Sequence, residues 1–245
     1  MARKPFERAN TGEMFDDIAG NYDKVNNLMT FGLCNQWRSS VVYALGDARP
    51  RRILDVATGT AGLAIRMASS LPSVREIVGV DNSTEMLRIG TDRVLQAQLD
   101  KVIRLVPSDA AQLPFENDTF DAAVCAFGIR NFPHREQALR EMLRVLQPGG
   151  RLCILELSIP RNPLLKLGYK AYAENFIPFL GKYVAKNEEA YRYLIKSIKA
   201  MPQYGHIAAV IQACGFEKVS FKPLTGGVAT RFDAVKPMPI AQIEG

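Results

Sequence analysis

The chain has 245 residues, of which 47% are hydrophobic, and a formal net charge of +6 at pH 7. This size and composition fit one α/β domain with an elaboration and argue against two independent domains. No apolar run reaches the roughly 20 residues of a membrane-spanning helix, and the opening Met1-Ala2-Arg3-Lys4 lacks the apolar segment of a signal peptide. We therefore expect a cytosolic protein.

The cysteines and histidines do not indicate a disulfide framework or a metal site. The four cysteines are far apart and form no C-x-x-C pair, so we expect reduced core residues at Cys34, Cys125, Cys153 and Cys214. With only two histidines and no His/Cys cluster at ligand spacing, no metal is predicted. The positive charge alone does not choose among nucleic acid, an anionic membrane surface and no specific partner.

The first strong pattern is a strand followed by a turn of small residues. Residues 52–56 form an apolar run that contains Asp55, and Ala57, Gly59 and Ala61 follow it. Small residues let the backbone pass close to a ligand, and Asp55 can accept a hydrogen bond from an ammonium group. The spacing does not fit the Gly-x-Gly-x-x-Gly loop of dinucleotide sites. The pattern resembles the first strand and loop of S-adenosylmethionine (SAM) methyltransferases, although tight strand-to-helix turns of other α/β proteins have nearly the same signature.

The next two predicted strands also end in polar residues. Residues 76–81 end at Asp81, which is placed to accept both ribose hydroxyls of an adenosine. Residues 102–106 are followed by Ser108 and Asp109, where a side-chain acceptor could reach the adenine amino group. Because ligands of parallel sheets lie at the carboxyl ends of the strands, we expect the three aspartates to converge on one cleft. Each could instead cap the following helix, and for Asp109 this interpretation is equally strong.

The middle of the chain continues the alternation of strands and helices. Ser83 is the expected N-cap of a helix that runs to about Leu99. Residues 120–126 predict a buried fourth strand, and the next helix is expected to stop at 147–150 before a fifth strand begins at Leu152. Right-handed crossovers between such elements favour a mostly parallel sheet with helices on both faces.

The last part of the chain predicts an insertion and a closing hairpin. Residues 216–221 and 229–235 read as two antiparallel strands, and residues 158–204 before them are rich in aromatic and basic side chains. An ordinary helical cap on the sheet edge explains part of the insertion. The mixture also suits a lid over a flat apolar substrate delivered from a membrane, and we favour the lid. The residues concerned are Tyr169, Tyr172, Phe176, Ile177, Phe179, Leu180, Tyr183, Tyr191 and Tyr193, with Lys166, Lys170, Lys182, Lys186, Arg192, Lys196 and Lys199.

Three short motifs are more specific than the general pattern of strands and helices. They are Tyr22-Asp23-Lys24-Val25-Asn26, Gly128-Ile129-Arg130-Asn131 and Tyr191-Arg192-Tyr193-Leu194. With them the chain resembles the quinone-biosynthesis C-methyltransferases from about Met14 to Pro237. The most similar family is that of the demethylmenaquinone methyltransferases, which is shared with the enzyme that methylates a ubiquinone precursor.

The resemblance implies a Rossmann-like, class I SAM methyltransferase fold. Residues 1–245 would form one domain, with 1–45 as an N-terminal helical cap and 158–204 as the lid. SAM would be the cofactor, and the reaction would be C-methylation of reduced demethylmenaquinol to menaquinol. Expected partners are a prenylated quinol, a transient membrane surface on the inner face, and a homodimer or a quinone-biosynthesis complex. No nucleic-acid partner is expected.

The resemblance and the strand ends together give a set of predicted site residues. Methyl transfer to carbon requires a nucleophilic ring carbon, which a quinol provides when a hydroxyl is deprotonated or strongly hydrogen-bonded. Arg130 and Asn131 are expected to orient that oxygen, and Tyr22 with Asp23 to close the cleft against water. The predicted catalytic residues are therefore Arg130, Asn131 and Tyr22, and the predicted cofactor-binding residues are Asp55, Ala57, Gly59, Thr60, Asp81, Asn82, Asp109, Ala110 and Ala126.

Departures from the family pattern leave alternatives open. The family usually has Gly-Thr-Gly-Asp where this chain has Gly59-Thr60-Ala61-Gly62, usually has His at Cys34 and often has Ser at Ala126. The methyl group of Ala61 is tolerated if its φ is negative, whereas a left-handed φ would be strained and would weaken SAM binding. The alternatives are a ubiquinone precursor or a related polyketide or phenolic ring as substrate, and a non-catalytic SAM-binding scaffold. A SAM-dependent RNA methyltransferase ranks lower, since no RNA-binding module is recognisable.

Overall fold

The computed structural model describes residues 11–176 and 188–239. In the described part of the chain, three helices come first: α1 (Thr11–Ile18), α2 (Tyr22–Met29) and α3 (Leu33–Gly46). The expected N-terminal cap is therefore helical over most of its described length. The opening Met1–Lys4 lies outside the described residues.

The described residues form a seven-stranded sheet with the order β3-β2-β1-β4-β5-β7-β6. Strands β1 to β5 are parallel, whereas β7 runs antiparallel to both β5 and β6. This topology confirms the prediction of a mostly parallel sheet that closes with an antiparallel hairpin. The strands are β1 (Arg52–Val56), β2 (Glu76–Asp81), β3 (Ile103–Pro107), β4 (Phe120–Ala126), β5 (Leu146–Leu157), β6 (Glu217–Leu224) and β7 (Ala229–Val235).

Further helices connect the strands and cover the sheet. They are α4 (Gly62–Ser70), α5 (Thr84–Gln96), α6 (Arg135–Val145), α7 (Pro163–Ala171), α8 (Glu188–Ala200) and α9 (Gly205–Ala213). Helix α7 continues into a π-helical turn, Tyr172–Phe176. Ser83 is the N-cap of α5, as predicted, because its Oγ accepts a hydrogen bond from the Met86 N–H at 3.1 Å.

Alternating side chains of each inner strand build two hydrophobic cores, one on each face of the sheet. In β1, Leu54 and Val56 pack in a cluster with residues of α6 and α9. Ile53, which points to the opposite face, packs with residues of α3 and α4. A strand that is buried on both faces reads as a continuous apolar run, which is why the sequence identified β1, β2 and β4 within their bounds.

The start of β5 differs from the prediction. A break at 147–150 was expected before the strand, but Leu146 already pairs with Phe120, and the register shifts before Ala122 pairs with Arg151. The intervening residues stay attached to the sheet because the chain after β7 binds them. Gly149 N–H donates to the Lys236 carbonyl at 3.0 Å, and Lys236 N–H donates to the Gly150 carbonyl at 2.9 Å. Extra residues within a strand pair are the signature of a bulge, which turn-forming residues alone do not reveal.

Smaller differences concern the ends of other elements. Helix α5 ends at Gln96 rather than Leu99, and β3 begins at Ile103 rather than Val102. The first strand of the hairpin is Glu217–Leu224 instead of 216–221. Helix and strand ends fray, and assignments there commonly vary by one or two residues; the hairpin strand extends further because it pairs with β7 up to Leu224.

The insertion between β5 and β6 contains α7 and α8 in its described part. It packs on the N-terminal helices, where Ala173 joins Val25 and Met29 of α2 in a small third core. Several predicted lid residues lie outside the described residues, namely Ile177, Phe179, Leu180, Lys182, Tyr183 and Lys186, as does the side chain of Tyr191. Among the described helices, none combines the length and the apolar character needed to cross a bilayer.

Candidate functional site

A polar cleft of about 450 Å³ lies where β1, β2, β3 and β4 end. Its size is typical of sites for small molecules and cofactors. Most of the predicted cofactor-binding residues line it: Ala57, Gly59, Asp81, Asn82, Asp109, Ala110 and Ala126. Tyr22 and Asn131 also line the cleft, so the structure brings strand-end residues and two of the predicted catalytic residues together.

The Asp81 carboxylate is held in a fixed orientation at the cleft wall. Its Oδ2 accepts a hydrogen bond from the Gly59 N–H at 2.8 Å, and its Oδ1 accepts one from the Ser83 N–H at 3.0 Å. Burial raises the pKa of Asp81, while these backbone N–H groups oppose the rise. Each oxygen of a carboxylate can accept more than one hydrogen bond, so the Asp81 oxygens retain acceptor capacity for a ligand in the cleft.

Asp109 has a structural role as well as a place in the cleft wall. Its Oδ1 accepts a hydrogen bond from the Ala111 N–H at 2.9 Å, which closes a turn after β3. The alternative that Asp109 caps a following helix is wrong, because the described residues between β3 and β4 form no helix and the hydrogen bond closes a turn instead. Its position in the wall beside Ala110 is also compatible with the predicted contact to an adenine ring.

Asp55 lies in β1 and Thr60 in the loop after it, and neither belongs to the described cleft wall. Asp55 is 1% exposed, and its Oδ2 accepts a hydrogen bond from Thr58 Oγ at 2.8 Å. Burial raises the pKa of Asp55 to about 7. A cation close to this carboxyl would favour its ionised form. A direct contact between Asp55 and a ligand ammonium group stays a prediction.

The loop after β1 alternates between ordinary and left-handed backbone. Ala57, Gly59 and Ala61 have φ values of 56°, 55° and 59°. The negative φ that would relieve Ala61 is therefore not found, and an L-residue in this region is strained by about 1–2 kcal/mol. Phe127, on the loop after β4, is also left-handed with φ 60°. Strained residues of this kind cluster at ligand sites, where the surrounding structure holds them in place.

The two loops leave a space that suits a nucleoside carrying a cationic group. A Cβ atom added at Gly128 would lie 2.5 Å from the Ala57 Cβ, so the loops after β1 and β4 pack at a distance that only glycine permits. On the other side, no atom lies within 4 Å of a Cβ built at Gly59, next to the Asp81 carboxylate. The wall thus combines open space with acidic acceptors, as ribose hydroxyls and a sulfonium would require.

The N-terminal helices are attached to the rim of the cleft by two carboxylates. In α2, Asp23 Oδ2 accepts hydrogen bonds from Thr60 Oγ and from Arg93 Nη1, both at 2.5 Å. In α1, Asp16 Oδ1 accepts one from Ser83 Oγ at 2.5 Å. Sequence reasoning missed Asp16, because an acidic residue in a short polar helix carries no signal for a partner 67 positions away.

Arg130 is buried in an ion pair and does not line the cleft. Its Nη1 lies 2.9 Å from Glu156 Oε1 and also donates to the Phe127 carbonyl. Burial lowers the pKa of Arg130, but Glu156, Tyr22 and Tyr193 together outweigh burial and raise it above the ordinary value. The Arg130 Nε is buried without a hydrogen-bond partner among the described residues. Arg130 is therefore not an ordinary surface arginine.

Sequence reasoning assigned no role to Glu156. The signal was present, since Glu156 stands within the otherwise apolar run Leu152–Leu157 of a buried strand. Acidic residues are almost never fully buried unless they are paired. Glu156 therefore required a cationic partner, although the run itself does not identify Arg130 as that partner.

A gap of about 30 Å³ shares wall residues with the cleft and with a second cavity. Tyr22 borders both the cleft and the gap, and Arg130 borders the gap. Asn131 is held near the gap, because its Oδ1 accepts a hydrogen bond from the Tyr193 hydroxyl at 3.1 Å. Tyr22 and Arg130 thus border the gap, whereas Asn131 lies in the cleft wall. Leu194 borders both the gap and the second cavity.

The second cavity has a volume of about 350 Å³ and is apolar. Its wall combines residues of the N-terminal helices, of α7 and α8, and of the turn before β7, including Met29, Phe31, Leu164, Tyr169, Leu194 and Val228. Burial raises the pKa of Tyr169 to about 12, so this phenol is neutral at physiological pH. The cavity suits an apolar ligand of small to moderate size.

The described residues contain no cluster of three or more His, Cys, Asp or Glu side chains that could hold a metal ion. The cysteines Cys34, Cys125, Cys153 and Cys214 are buried and not in disulfides. They act as small core residues, as the sequence predicted.

Comparisons of sequence identify relatives along nearly the whole chain. The model of the ubiE/COQ5 methyltransferase family matches residues 4–236. Demethylmenaquinone methyltransferase of Porphyromonas gingivalis is 42% identical over 223 residues, which is 91% of each chain. Ubiquinone/menaquinone biosynthesis C-methyltransferase UbiE of Stutzerimonas stutzeri is 38% identical and covers 92% of this chain and 88% of its own.

Solved structures with the same fold are more distant in sequence. A SAM-dependent methyltransferase of Thermotoga maritima, described as a possible histamine N-methyltransferase, has a TM-score of 0.66 at 17% identity and covers 92% of this chain and 99% of its own. Phosphoethanolamine N-methyltransferase 2 of Haemonchus contortus, in complex with S-adenosyl-L-methionine, has a TM-score of 0.58 at 18% identity, covering 77% of this chain and 49% of its own. The fold is thus that of class I SAM methyltransferases. Given the family match and these relatives, the chain belongs to the ubiE/COQ5 methyltransferase family.

Proposed function

We propose that the methyl acceptor of this SAM-dependent C-methyltransferase is demethylmenaquinol, a reduced naphthoquinol with a prenyl tail. The observation that carries this proposal is the gap beside Tyr22 and Arg130, which shares Tyr22 with the polar cleft and Leu194 with the apolar cavity. The acceptor has a polar, reactive ring and an apolar tail, so it needs an apolar cavity adjoining the methyl donor. The P. gingivalis relative is named for the same reaction.

The residues of the polar cleft fit the cofactor S-adenosyl-L-methionine. Asp81 would accept hydrogen bonds from the ribose hydroxyls, and Asp109 with Ala110 would contact the adenine ring. Ala57 and Gly59 would lie against the methionine portion. When bound, the cofactor supplies an electrophilic methyl group on a sulfonium, and the leaving thioether is neutral, so the protein has no leaving anion to stabilise.

The task left to the protein is to make the ring carbon nucleophilic. Arg130 Nη1 is already bound to Glu156 and Phe127, and the buried Nε has no hydrogen-bond partner among the described residues, so Nε is the proposed donor for the quinol oxygen. This hydrogen bond favours loss of the hydroxyl proton to solvent, and the resulting phenolate delocalises its charge onto the adjacent ring carbon, which attacks the methyl group. Once the new carbon–carbon bond has formed, the ring proton at that carbon passes to solvent and the oxygen regains a proton, so one proton is released overall.

Glu156 determines how Arg130 can act. The buried pair has no net charge, so Arg130 contributes a directed hydrogen bond more than a long-range field. The carboxylate also fixes the guanidinium, because Glu156 Oε2 accepts the Arg130 backbone N–H at 3.2 Å while Oε1 binds Nη1. Pre-oriented donors of this kind need no reorganisation during the reaction.

Tyr22 and Asn131 complete the polar contacts near the gap. Burial raises the pKa of Tyr22, so its hydroxyl stays protonated at neutral pH and serves as a donor rather than a base. The Asn131 amide is oriented by the Tyr193 hydroxyl and faces the cleft. With α1 and α2 attached over the cleft, water is kept from the reacting atoms.

The test supplies methyl-labelled SAM with reduced or oxidised acceptors and locates the label by mass spectrometry. We expect label on a ring carbon of demethylmenaquinol and none on the oxidised quinone. A reduced benzoquinol precursor of ubiquinone is offered in parallel, because the S. stutzeri relative is named for both pathways. Label on an oxygen atom, or transfer to the benzoquinol alone, would contradict the proposed substrate.

A further inference from the structure

We infer that helix α7 and the turn at residues 30–32, together termed the docking face, bind an anionic lipid bilayer, so that the apolar cavity opens against the membrane. This inference rests on the proposed function, because it assigns the route by which an apolar acceptor reaches the cavity.

Helix α7 presents large apolar side chains to solvent. Leu164 is 77% exposed, Leu167 67% and Leu165 49%. Leu164 and Leu167 are three positions apart and therefore lie on the same side of the helix. None of the nine residues of α7 is buried. A short helix with leucines in water and no core of its own indicates a surface that is covered in use.

The turn at residues 30–32 contributes an exposed aromatic ring. Phe31 is 70% exposed and has a left-handed φ of 49°. Its ring stacks on Phe176 with centroids 5.6 Å apart and an interplanar angle of 18°. A bulky residue with this backbone is a conformational outlier, so the fold accepts strain at a position that directs an aromatic side chain outward.

The exposed apolar residues surround the apolar cavity. Phe31, Leu164 and Leu165 are at once exposed to solvent and part of the cavity wall. Leu167 is exposed one turn further along α7 and does not line the cavity. The docking face is thus continuous with the cavity, and a membrane against it would lie at the cavity mouth.

The charges of the docking face favour an anionic surface. Lys166 and Lys170 are exposed on α7, and neither forms an ion pair with any residue that the structure describes. Glu174, the one acidic residue of the sequence from 158 to 176, is paired with Lys199 at 3.5 Å. A second copy bound symmetrically through this face would bring the same lysines together, which opposes a dimer here. Anionic headgroups attract such lysines, and exposed leucines insert among the acyl chains.

The test measures flotation of the full chain with vesicles of phosphatidylcholine alone or with added phosphatidylglycerol. We expect binding to the anionic vesicles that falls as salt is raised. Leu167→Ser, and separately the pair Lys166→Glu and Lys170→Glu, should each weaken binding roughly 10-fold or more. The matched controls are Leu95→Ser, an exposed leucine of α5, and the pair Lys101→Glu and Lys222→Glu; these should bind like the unaltered protein.

Turnover separates this inference from the proposed function. With a short-chain demethylmenaquinol and no vesicles, Leu167→Ser should match the unaltered protein, whereas with a long-chain acceptor in vesicles its turnover should fall with its binding. If the unaltered protein methylates neither acceptor but the α7 variants still lose vesicle binding, the docking face is supported and the proposed function is contradicted. Unchanged vesicle binding by both α7 variants overturns the docking face. So does a dimer, seen by sedimentation, that Leu167→Ser dissociates while vesicle binding persists.

Discussion

The polar cleft and the apolar cavity lie side by side but are built in different ways. The cleft wall comes from residues at or just after the carboxyl ends of consecutive strands of one sheet, such as Ala57, Asp81 and Asp109. The cavity wall joins distant parts of the chain, such as Phe31, Leu164 and Val228. A site made at parallel strand ends follows from the fold, whereas a site made between added helices follows from their mutual packing.

This difference suggests a division of labour between the two regions. The cleft would hold the cofactor, which SAM-dependent methyltransferases of this fold share, and the cavity would select the methyl acceptor. Variants in the cleft should therefore weaken binding of SAM alone, and variants in the cavity should weaken binding of the acceptor alone. Only variants at the gap should slow methyl transfer without weakening the binding of SAM or the acceptor. The predictions below test that division, starting with the largest effect.

Arg130→Ala should have the largest effect, because it acts at the gap. We expect turnover to fall by about 10²–10⁴-fold, the range for a group that assists proton transfer, with SAM affinity little changed. Single-turnover rates and calorimetry would measure the two quantities. Glu156→Gln should give a smaller loss and a changed pH profile, since it leaves the donor in place but removes its charge partner. Full activity of Arg130→Ala would contradict the mechanism.

Asp81→Ala should weaken the cofactor alone. If Asp81 accepts two hydrogen bonds from the ribose, its loss should cost about 2–4 kcal/mol of SAM binding while the fold is retained. Calorimetric titration with SAM would measure this. Asp92→Ala is a matched control, since Asp92 is a 57% exposed carboxylate paired with Arg88 on α5. Equal SAM affinity in the two variants would remove Asp81 from the cofactor site.

Gly168→Phe should affect the acceptor alone. Gly168 lines the apolar cavity, and the space around a Cβ built there is open, so we expect a phenylalanine at this position to take up volume in the cavity. We expect the KM for the prenylated quinol to rise roughly 10-fold, equivalent to about 1.4 kcal/mol, with unchanged SAM affinity. Gly168→Ala provides the control, because it alters the helix similarly and fills little space. A KM that rises equally in both variants would assign the effect to the helix.

Ala61→Gly should have the smallest effect, and its sign is the informative part. Glycine relieves the left-handed strain but loses a buried methyl group, so a net gain of about 0.5–1 kcal/mol in unfolding free energy is expected. Ala68→Gly, in the interior of α4, should instead destabilise by about 0.5–1 kcal/mol. Denaturant unfolding of both variants would measure the contrast. Destabilisation by Ala61→Gly would show that the loop is not strained.

The sequence predicted the cleft better than its surroundings for a physical reason. Strands β1 to β4 are parallel, so their carboxyl ends must meet at one edge, and the convergence of Asp81 at the end of β2 with Asp109 just after β3 follows from topology alone. The capping role of Ser83 is equally local. By contrast, the partners of Asp16 and Glu156 depend on how distant elements pack, and the extension of β5 depends on Lys236 far along the chain.

The backbone of Ala61 lies between these cases. The sequence shows an alanine where glycine is usual, and therefore indicates that the φ angle of Ala61 decides whether the loop is strained. The answer depends on how the loop closes between β1 and α4, with Gly59 bound to Asp81 and Ala61 N–H donating to the Thr58 carbonyl at 3.1 Å. Such loop geometry is a tertiary property that residue preferences alone do not determine.

The attachment of α1 and α2 has a kinetic consequence. Asp23 binds the cofactor loop, Asp16 binds the start of α5, and α2 reaches the apolar cavity through Met29. One rigid-body movement of these helices would therefore open both sites at once, so that exchange of spent cofactor and departure of methylated product become a single event. If that event limits the steady state, rapid mixing should reveal a burst of product in the first turnover. Because Asp23 and Arg93 are partly exposed, added salt should weaken their contact and quicken the later turnovers.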